Sequence, residues 1–344
     1  MKKVSAGNQS EKNTSKLVIA ACILIPIICF ILSLTLGKYH IEMRQTVLIL
    51  FNEFVPVKQT WSDLAASMIL NIRLPRAIAA MLVGAALSVS GAVFQGIFRN
   101  PLASPYTLGV SNGAGFGAAL AIVATTNYFF IQSSAIIFSL IAVGLTFLLS
   151  SKAKNSTITL VLSGVVVGSL FSALISLIKF VADPFEKLPT IVFWLMGSLS
   201  AVKLDSLLMA MPFFIIPMII LFCYRWRLNV LGLGDEEARS YGVAVGRDRA
   251  IIIICCSILA AAAVSISGIV GWVGLVIPHL GRILVGPDYR KLLPVCICLG
   301  ATYLLIIDDL CRILIEVEIP LGVVTAIFGT PIFAYFMLKE KVDW

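Results

Sequence analysis

Long apolar segments, separated by short breaks of charged residues, glycine or proline, constrain this chain more than any other feature of its sequence. Most of them are about 20 residues long, enough for a helix to cross roughly 30 Å of membrane hydrocarbon. Only 13% of the residues are charged, against about 25% in soluble domains. We therefore predict an all-α polytopic membrane protein with about ten transmembrane helices. The predicted spans are 17–36, 74–96, 106–126, 132–150, 157–181, 204–223, 250–269, 272–285, 292–313 and 321–338.

The N-terminal segment and the loop charges set the predicted orientation of these spans. The first apolar run is about 20 residues long and exceeds the roughly 7–15 residues of a signal-peptide core, so we predict a retained helix. Basic residues before it place the N-terminus in the cytoplasm by the positive-inside rule. The predicted organisation is a cytoplasmic tail at 1–16, a ten-helix domain at 17–338 and a second cytoplasmic tail at 339–344.

Three arginines are exceptions to this charge distribution. Arg73, Arg76 and Arg312 fall at the predicted outer ends of spans, where basic residues are less common. Snorkelling of their side chains to the lipid headgroups is one explanation, and a role in binding is the other. Asp308 and Asp309 lie four and three residues before Arg312. This spacing predicts that they lie on a neighbouring helix face and pair with that arginine.

A short internal repeat is visible in the sequence. The segment "AALSVSG" at 85–91 returns as "AAVSISG" at 262–268, and Pro101 and Pro278 keep the same offset. The two copies lie on spans predicted to cross in opposite directions, which is typical of the inverted repeats of transporters. Chance similarity between helices rich in small residues is the alternative. The fold that we predict is an inverted-repeat bundle.

Serine residues recur along the predicted span 157–181. In membranes, small residues at helical spacing allow close packing of helices, and polar residues also mark hydrated pathways. Both interpretations stay open from the sequence alone. The serines concerned are Ser163, Ser169, Ser172 and Ser176.

The sequence offers no chemistry for an enzyme. It contains no G-x-x-x-x-G-K-[ST] loop that would cradle phosphates, no zinc-protease motif and no nucleophile elbow. The 8 cysteines form no C-x-x-C pair and lie in or beside apolar runs, so we predict packing residues rather than a metal site. We expect no cofactor in this chain. The net charge of +8 belongs to membrane loops and does not indicate a nucleic-acid partner.

A charged loop at 224–249 is the longest on the predicted cytoplasmic side, with the sequence "YRWRLNVLGLGDEEARSYGVAVGRDR". Within it, "DEEARSYG" favours a short helix that has acidic residues at its N-terminal end and Gly242 as its stop. Such a helix suits docking to a soluble partner, and a solvated loop is the alternative. A transporter without its own nucleotide site would need a separate ATPase, which this loop could contact.

Six motifs, taken together and in order, resemble the iron-siderophore and cobalamin permease family of ATP-binding-cassette importers. The resemblance runs from about residue 17 to residue 338. It implies a ten-helix subunit that pairs with a second permease and sits on two ATPase subunits, which hold ATP and magnesium. It also implies an extracytoplasmic binding protein that delivers the ligand. The motifs are "RLPR", "GAVFQGIFRNPLASPYTLGVSNGAG", "LGDEEARSYGV", "GLVIPHLGRILVG", "LPV…LGA" and "EIPLGVVTAIFGTPIFAYFML".

The resemblance further implies roles for particular residues. Docking of the binding protein falls on Arg73, Arg76 and Arg312, which would make the exceptional arginines an outward docking patch. Positive charge facing outward would steer and orient an acidic partner. Coupling to the ATPase falls on Gly234, Asp235, Glu236, Glu237, Ala238, Arg239 and Gly242.

The resemblance also implies a cytoplasmic gate at the start of the span 157–181. The gate positions are Ser156, Thr157 and Ile158. The cobalamin importer has polar residues at two adjacent gate positions, whereas the second of them here is Ile158. A hydrophobic gate is therefore the expectation that fits this sequence.

We therefore predict a permease subunit, with no bond chemistry of its own, that carries a ferric siderophore across the bacterial cytoplasmic membrane. The same machine carrying cobalamin or haem is the first alternative, and the second permease could be an identical or a different chain. A stand-alone secondary transporter is an alternative of another class. It would need an intramembrane acidic relay, for which Asp308 and Asp309 are the candidates. A channel or a structural bundle is the remaining class.

Overall fold

A computed structural model describes residues 21–22, 24–152 and 157–339 of the chain. The described part is helical and contains no strand. Its helices are α1 (Leu24–Thr35), α2 (Met43–Asn52), α3 (Asp63–Ser67), α4 (Leu74–Phe98), α5 (Val110–Ala124), α6 (Tyr128–Lys152), α7 (Thr157–Val181), α8 (Lys187–Met196), α9 (Leu204–Cys223), α10 (Arg225–Leu233), α11 (Asp235–Ser240), α12 (Val245–Ser267), α13 (Val273–Val285), α14 (Tyr289–Ile313) and α15 (Leu321–Lys339).

The prediction of an all-α membrane protein is confirmed, whereas the predicted number of ten spans is not confirmed. Among the described residues, 6 helices are long and apolar enough to cross a membrane. They are α4 together with the helical turns before it, α6, α7, α9, α12 and α14. The other predicted spans coincide with the shorter apolar helices α1, α5, α13 and α15. A further short apolar helix, α8, was not predicted.

α4 lies at the centre of the bundle, where its small residues allow other helices to approach closely. A Cβ on Gly84 would overlap the carbonyl oxygen of Gly300 on α14, and a Cβ on Gly91 would overlap that of Gly274 on α13. Close backbone approach of this kind stabilises membrane helices, because lipid provides no hydrophobic drive for their association. α14 and α12 both run antiparallel to α4. The Asp308 end of α14 meets the N-terminal end of α4, and Gly246 of α12 lies beside Phe98.

The two copies of the sequence repeat lie on α4 and α12, which pack against each other in opposite directions. The hydroxyl of Ser90 in the first copy donates to the carbonyl of Cys256 on α12 at 3.2 Å. The copy on α4 falls in the middle of its helix, whereas the copy on α12 ends its helix at Ser267. The packing of the two helices that carry the copies is therefore observed, and the inverted repeat of the whole bundle stays a prediction.

An irregular segment follows α12 inside the bundle. The chain turns at Gly268, which has a φ of +66°, and starts α13 at Val273. Its backbone is covered by α8 and α15, since the N–H of Ser198 donates to the Ser267 carbonyl at 2.8 Å. The N–H of Leu321 donates to the Gly197 carbonyl at 2.9 Å. Non-helical backbone is tolerated at membrane depth only where protein or water satisfies it, and here protein does so.

A small layer formed by residues 36–73, between α1 and α4, was not predicted and is called the outer layer. α2, α3 and a π-helical turn at Met68–Arg73 pack around Ile49, Trp61 and Ile69. The side chain of Ser62 accepts from the N–H of Ala65 and thereby caps α3. The turn then continues directly into α4. This layer positions Arg73 against the end of α1.

Candidate functional site

The end of the bundle that carries Arg76 is called the outer end below, after the predicted orientation, and the end that carries Arg99 is the inner end. Three regions of the described structure contain the predicted site residues. The first is a cluster of charges at the outer end, the second is a groove along α7, and the third is the loop 224–249 at the inner end, called the coupling segment below.

Arg76 is the centre of the outer ion cluster, which comprises Arg76, Asp308, Asp309, Arg312 and Glu318. Its Nε lies 3.0 Å from the Asp308 carboxylate, and its Nη1 lies 2.9 Å from Glu318 Oε1. Asp308 is fully buried, whereas the side chain of Glu318 is 34% exposed. Two carboxylates thus neutralise one buried guanidinium, with Asp308 accepting from its Nε and Nη2 and Glu318 from its Nη1. This arrangement fastens the α14–α15 connection to the first turn of α4.

Arg312 has the local partners that the sequence predicts, and one that it does not. Its guanidinium pairs with Asp309, and its Nε lies 3.4 Å from Asp308 Oδ2. The predicted pairing with the two aspartates is therefore confirmed. The hydroxyl of Ser33 on α1 accepts from Arg312 at 3.0 Å and donates to Asp309 at 2.7 Å. Because of Ser33, the cluster holds α1 as well as α4 and α14.

Arg73 binds backbone rather than carboxylates. Its guanidinium donates to the carbonyls of Leu34 at 2.8 Å and Thr35 at 3.0 Å, and also to the carbonyl of Tyr39. These carbonyls belong to the last turn of α1 and the chain after it, where unpaired acceptors and the helix dipole favour a cation. Arg73 therefore caps α1. Gly37 leaves the space for it, since a Cβ there would lie 2.8 Å from Arg73 Nη2.

The three arginines that we expected to form an exposed docking patch are instead buried. Arg73 is 3% exposed, Arg76 5% and Arg312 9%. Carbonyls of α1 and carboxylates of α14 and of the connection after it surround them. A docking contact with a partner is untested and stays a prediction. The outer layer carries exposed charges of both signs, among them Lys38, Glu42, Arg44, Glu53, Lys58 and Asp63.

The α7 groove is a cavity of about 580 Å³ along α7, facing the 3₁₀ turn that leads into α5. Three of the four predicted serines line it, and two of them, Ser169 and Ser176, donate to carbonyls one turn back on α7. The amide of Asn112 donates to the Gly168 carbonyl at 2.9 Å across the groove. The lining residues are Tyr106, Thr107, Asn112, Gly164, Val165, Gly168, Ser169, Ser172, Ala173 and Ser176.

The fourth serine and the gate residues lie elsewhere. Ser163 is 8% exposed and does not line the groove, so its assignment to the same polar face is wrong. The helical spacing explains this, because residues 165, 169, 172 and 176 share one face and residue 163 does not. Ser156 lies outside the described residues, Thr157 is the first residue of α7, and Ile158 is 72% exposed. The gate therefore stays a prediction, with an apolar side chain at its described position.

The coupling segment forms the short helix that its sequence predicts. α11 begins at Asp235 with acidic residues in its first turn. It ends at a left-handed glycine, since Gly242 has a φ of +78° and its N–H donates to the Arg239 carbonyl at 2.9 Å. Ala238 is fully buried against the chain. The exposed residues of this helix are Asp235, Glu236, Glu237, Arg239 and Ser240.

Within the coupling segment, ion pairs hold α10 and α11 to the first turns of α12. Asp235 Oδ1 lies 2.6 Å from Arg249 Nη2, and Arg227 Nη1 lies 3.1 Å from Asp248 Oδ1. The hydrogen bond from Arg249 is the main cause that lowers the pKa of Asp235. A lowered carboxyl pKa means that this pair stabilises the fold above the ordinary pKa of the group. Its contribution is lost as the pH falls through the lowered value.

Cysteine, histidine and carboxylate side chains do not gather into a possible metal site anywhere in the described part of the chain. The cysteines are free thiols there, and Cys255, Cys256, Cys296 and Cys311 are buried.

Some partners in these sites could not have been found by sequence reasoning. Arg76 and Asp308 are 232 residues apart, and Arg76 and Glu318 are 242 residues apart. Such contacts leave no periodic or local signal in a single sequence. α8 escaped prediction because its apolar run is only 10 residues long.

Comparison with known proteins agrees with this architecture. The sequence model of the FecCD transport family matches residues 23–339. The molybdate import permease MolB of Haemophilus influenzae is 41% identical over 324 residues, which are 92% of this chain and 94% of the relative. A permease of Helicobacter pylori named for iron chelatin transport is 38% identical over 326 residues, 93% of this chain and 97% of the relative.

A solved structure shows the same fold. It is described as an inward-facing conformation of a metal-chelate type ABC transporter, and it matches with a TM-score of 0.85 at 39% identity. The match covers 94% of this chain and 100% of that one. By sequence and by fold, the chain belongs to the FecCD transport family.

Proposed function

We propose that the chain, a permease subunit of an ATP-binding-cassette importer of the metal-chelate type, carries a ferric siderophore across the cytoplasmic membrane. The observation that carries this proposal is the α7 groove. Its lining residues are uncharged and combine hydroxyl and amide groups with glycine, alanine and valine. A bare ion in such a groove would lose its hydration without a compensating charge. A chelate encloses its metal in its own ligand shell and suits the groove better.

Molybdate import is the second candidate, because the relative with 41% identity is named for that oxyanion. The groove hydroxyls can donate hydrogen bonds to oxyanion oxygens. Against this candidate, the lining of the groove contains no cationic side chain. Other relatives are named for cobalamin and hemin, which are further bulky metal chelates. Import of either would change the ligand of the proposed transporter and leave its mechanism the same.

The position of the groove supports pairing with a second permease. It lies on a face of α7 that also exposes Leu162, Val166 and Leu170. In a single subunit the hydroxyls of Ser169, Ser172 and Ser176 would face lipid, which is unfavourable for polar groups. A second subunit against this face would cover the apolar residues and enclose the groove as a pathway between two chains. The pairing is the same for an identical or a different second permease.

The ATPase subunits and the binding protein would contact opposite ends of the bundle. Two ATPase subunits, which bind ATP and magnesium, would contact the exposed acidic face of α11 in the coupling segment. An extracytoplasmic binding protein would deliver the ligand at the outer end, and both termini would lie in the cytoplasm. ATP binding and hydrolysis would then shift the permease between outward-open and inward-open states. This chain performs no bond chemistry in that cycle.

Docking through Arg73, Arg76 and Arg312 requires more than simple contact. Their charges are already matched by carboxylates and carbonyls, so a partner's acidic side chain must displace an internal one. Glu318 is the most exposed acid of the outer ion cluster, so it is the internal carboxylate that a partner's acidic side chain would displace most easily. The exposed Lys38, Arg44 and Lys58 offer docking charges that need no rearrangement. The substitution Arg76→Glu, which reverses the charge, would add a carboxylate beside Asp308 and Glu318. Its effect on docking therefore has to be separated from damage to the fold.

Uptake by a strain that lacks this chain tests the ligand assignment. Iron is supplied on a panel of siderophores, and then haem, cobalamin and molybdate are supplied one at a time. We expect loss of uptake for one siderophore class and its return when the intact chain is restored. Normal uptake of every siderophore, with loss of molybdate, cobalamin or haem uptake instead, would overturn the siderophore assignment and leave the permease class in place.

A further inference from the structure

Asn229, on α10 within the coupling segment, uses both ends of its amide to hold the start of α14. Its Nδ2 donates to Asp288 Oδ1 at 2.6 Å, and its Oδ1 accepts from the backbone N–H of Tyr289 at 2.9 Å. Asp288 caps α14 at the same time, since its carboxylate accepts from the N–H of Arg290 at 3.0 Å. One amide side chain therefore ties α10 to the first turn of α14.

The contacts of Asn229 with Asp288 and Tyr289 are called the clamp. The Asp288 carboxylate in it is charged, as these hydrogen bonds require. Partial burial would raise the pKa of Asp288, but the hydrogen bonds from Arg290 and Asn229 outweigh it and leave the pKa below the ordinary value. Hydrogen bonds to charged groups are worth about 1.5–3 kcal/mol, more than those between neutral groups. The Asn229–Asp288 contact is thus the stronger of the two that the amide makes.

Tyr289 extends the connection from α14 to α4. Its side chain is buried, and its hydroxyl donates to the Ala92 carbonyl at 2.9 Å. Gly96 makes the approach possible, because a Cβ there would overlap the Tyr289 hydroxyl. A displacement of the first turn of α14 is therefore transmitted to α4 without an intervening flexible side chain.

Arg282 brings α13 into the same network. It donates to the Ala92 carbonyl at 3.1 Å and to the side-chain oxygen of Gln95, which is fully buried. The carbonyl of Ala92 thus accepts from α13 and α14 together. A continuous path of hydrogen bonds runs from α10 through α14 to α4 and α13, the helices packed around the centre of the bundle.

A cavity of about 360 Å³ lies against this path, between α10 and the ends of α4 and α13. Asn229 and Asp288 line it together with Gly96, Arg99 and Arg282. Leu228, Val230 and Leu231 of α10 are buried in the main core, and the hydrogen bonds of Asn229 add a polar attachment on the side that faces the cavity. A movement of α10 would reach the bundle through them.

We propose that Asn229 is a positioning residue that transmits displacement of the coupling segment to α14, and through Tyr289 to α4 and α13. This inference rests on the proposed contact between the coupling segment and the ATPase. A purely structural role, in which Asn229 only keeps α10 folded, is the competing explanation. The two differ in how transport relates to ATP hydrolysis in complexes that have assembled.

The test exchanges the two polar side chains of the clamp. In Asn229→Asp two carboxylates would face each other at the contact that now measures 2.6 Å, and they would repel. In the double variant Asn229→Asp with Asp288→Asn, the new amide donates to the new carboxylate, which still accepts from Tyr289 N–H. Asparagine also serves as a helix N-cap, so α14 keeps its cap. Asn100→Asp, at the same end of the bundle but outside the clamp, is the matched control.

The readout is the amount of ferric siderophore, of the class found by the uptake panel above, that purified full complexes in proteoliposomes transport per ATP hydrolysed. Co-purification of the ATPase is measured alongside. We expect this ratio to fall by about tenfold in Asn229→Asp, the effect of losing one charge-assisted hydrogen bond. The double variant should recover most of the ratio, and Asn100→Asp should match the wild type. Tyr289→Phe, which removes the next bond of the path, should also lower the ratio.

Three outcomes would overturn the inference. An unchanged ratio in Asn229→Asp would show that the clamp transmits nothing. Loss of the ATPase from the purified complex, with a normal ratio in the fraction that remains, would establish the purely structural role. A lowered ratio that the double variant fails to recover would assign the effect to the new charge rather than to the clamp. If instead the wild-type complex transported ligand without ATP, the proposed function itself would fail, whatever Asn229 does.

Discussion

Buried charge dominates the chain at the scale of single residues. Asp308 is fully buried, and Arg76 and Arg312 both lie within ion-pair distance of it. Removing charged groups from water is costly, and the mutual attraction of a buried pair offsets this only when every partner is in place. The outer ion cluster therefore makes the fold depend on each of its members. It also fixes how α1, α4 and α14 meet.

Arg76→Ala is the first prediction. It would leave the Asp308 carboxylate buried with Arg312 as its remaining partner at 3.4 Å, and remove the partner of Glu318. Removing one member of a buried pair costs about 3–5 kcal/mol. We expect a clear fall in thermal unfolding temperature of the detergent-solubilised chain. Arg44→Ala, which removes an exposed arginine of the outer layer, is the control and should change little. Equal stability of the two variants would contradict this account of the cluster.

Sequence reasoning reached only the local part of this cluster. The pairing of Arg312 with Asp308 and Asp309 follows from helical spacing, which fixes neighbours three and four residues apart. The pairing of Arg76 with Asp308 requires knowing that α4 and α14 are antiparallel neighbours. The burial of Arg73 depends on the end of α1, which no pattern near Arg73 reveals. The structure brings the three arginines together at one end of the bundle and buries them, whereas their position on the outer side of the membrane stays a prediction.

At the scale of helices, small residues decide which elements meet. The ridge of Gly84, Ser88, Ala92 and Gly96 on α4 receives α14 along its length. Gly164 and Gly168 of α7 allow the turn before α5 to approach in the same way. These contacts leave no space for a methyl group at several positions. The ten predicted spans and their order were therefore readable from the apolar runs, while the partners of each helix required the structure.

Gly84→Ala is the second prediction. The added Cβ would overlap the Gly300 carbonyl, so α4 and α14 would have to separate, at a cost typical of overpacking of about 1–3 kcal/mol. Gly144→Ala on α6 is the matched control, because nothing lies within 4 Å of a Cβ there. Alanine is also the better helix former, so the control should keep or slightly raise the unfolding temperature. The account of α4 packing would be wrong if the two variants unfolded at the same temperature.

Gly242→Pro is the third prediction and concerns α11. Proline fixes φ near about −65°, whereas Gly242 has a φ of +78°, and it removes the N–H that donates to Arg239. The stop of α11 would be lost, and we expect transport to fall strongly while the membrane helices stay folded. Glu237→Ala removes an exposed acid of α11. It should also lower transport, because the proposed contact with the ATPase is made by the acidic face of α11.

The control for this variant is Gly246→Pro, in the first turn of α12, where proline is tolerated and no atom lies within 4 Å of a Cβ. Normal uptake by Gly242→Pro and Glu237→Ala would remove the coupling role from α11. The helix itself was predictable, because its acids, its glycine stop and its length are local signals. α8 and the outer layer lacked such signals, since their apolar runs are short and their partners are distant in sequence.

For the whole molecule, the proposed pairing of two permease subunits rests on the α7 groove. Its hydroxyls and the apolar residues beside them lie on the same surface, which neither lipid nor water suits completely. Two subunits that meet there would enclose a pathway. The sequence indicated polar residues on this helix but left packing and pathway open. The structure places Ser169, Ser172 and Ser176 on the groove and removes Ser163 from it.

Cross-linking of Ser172→Cys is the fourth prediction. With a short thiol-reactive cross-linker we expect covalent pairs of permease subunits in membranes, because the groove would lie at the interface. Ile216→Cys on α9 is the matched control, since Ile216 is 57% exposed on another face. The unchanged chain, with its own exposed Cys223, gives the background. Equal yields at the two introduced cysteines would argue against pairing through α7.

The most direct test of the central claim is transport by the purified chain in proteoliposomes, with and without its ATPase and binding protein. We predict that a ferric siderophore accumulates only when ATP, the ATPase and the loaded binding protein are all present, and without any ion gradient. Accumulation driven by an ion gradient in the absence of the ATPase would contradict the account. That result would give Asp308 and Asp309 the role of a proton or ion relay instead of structural partners of Arg76 and Arg312.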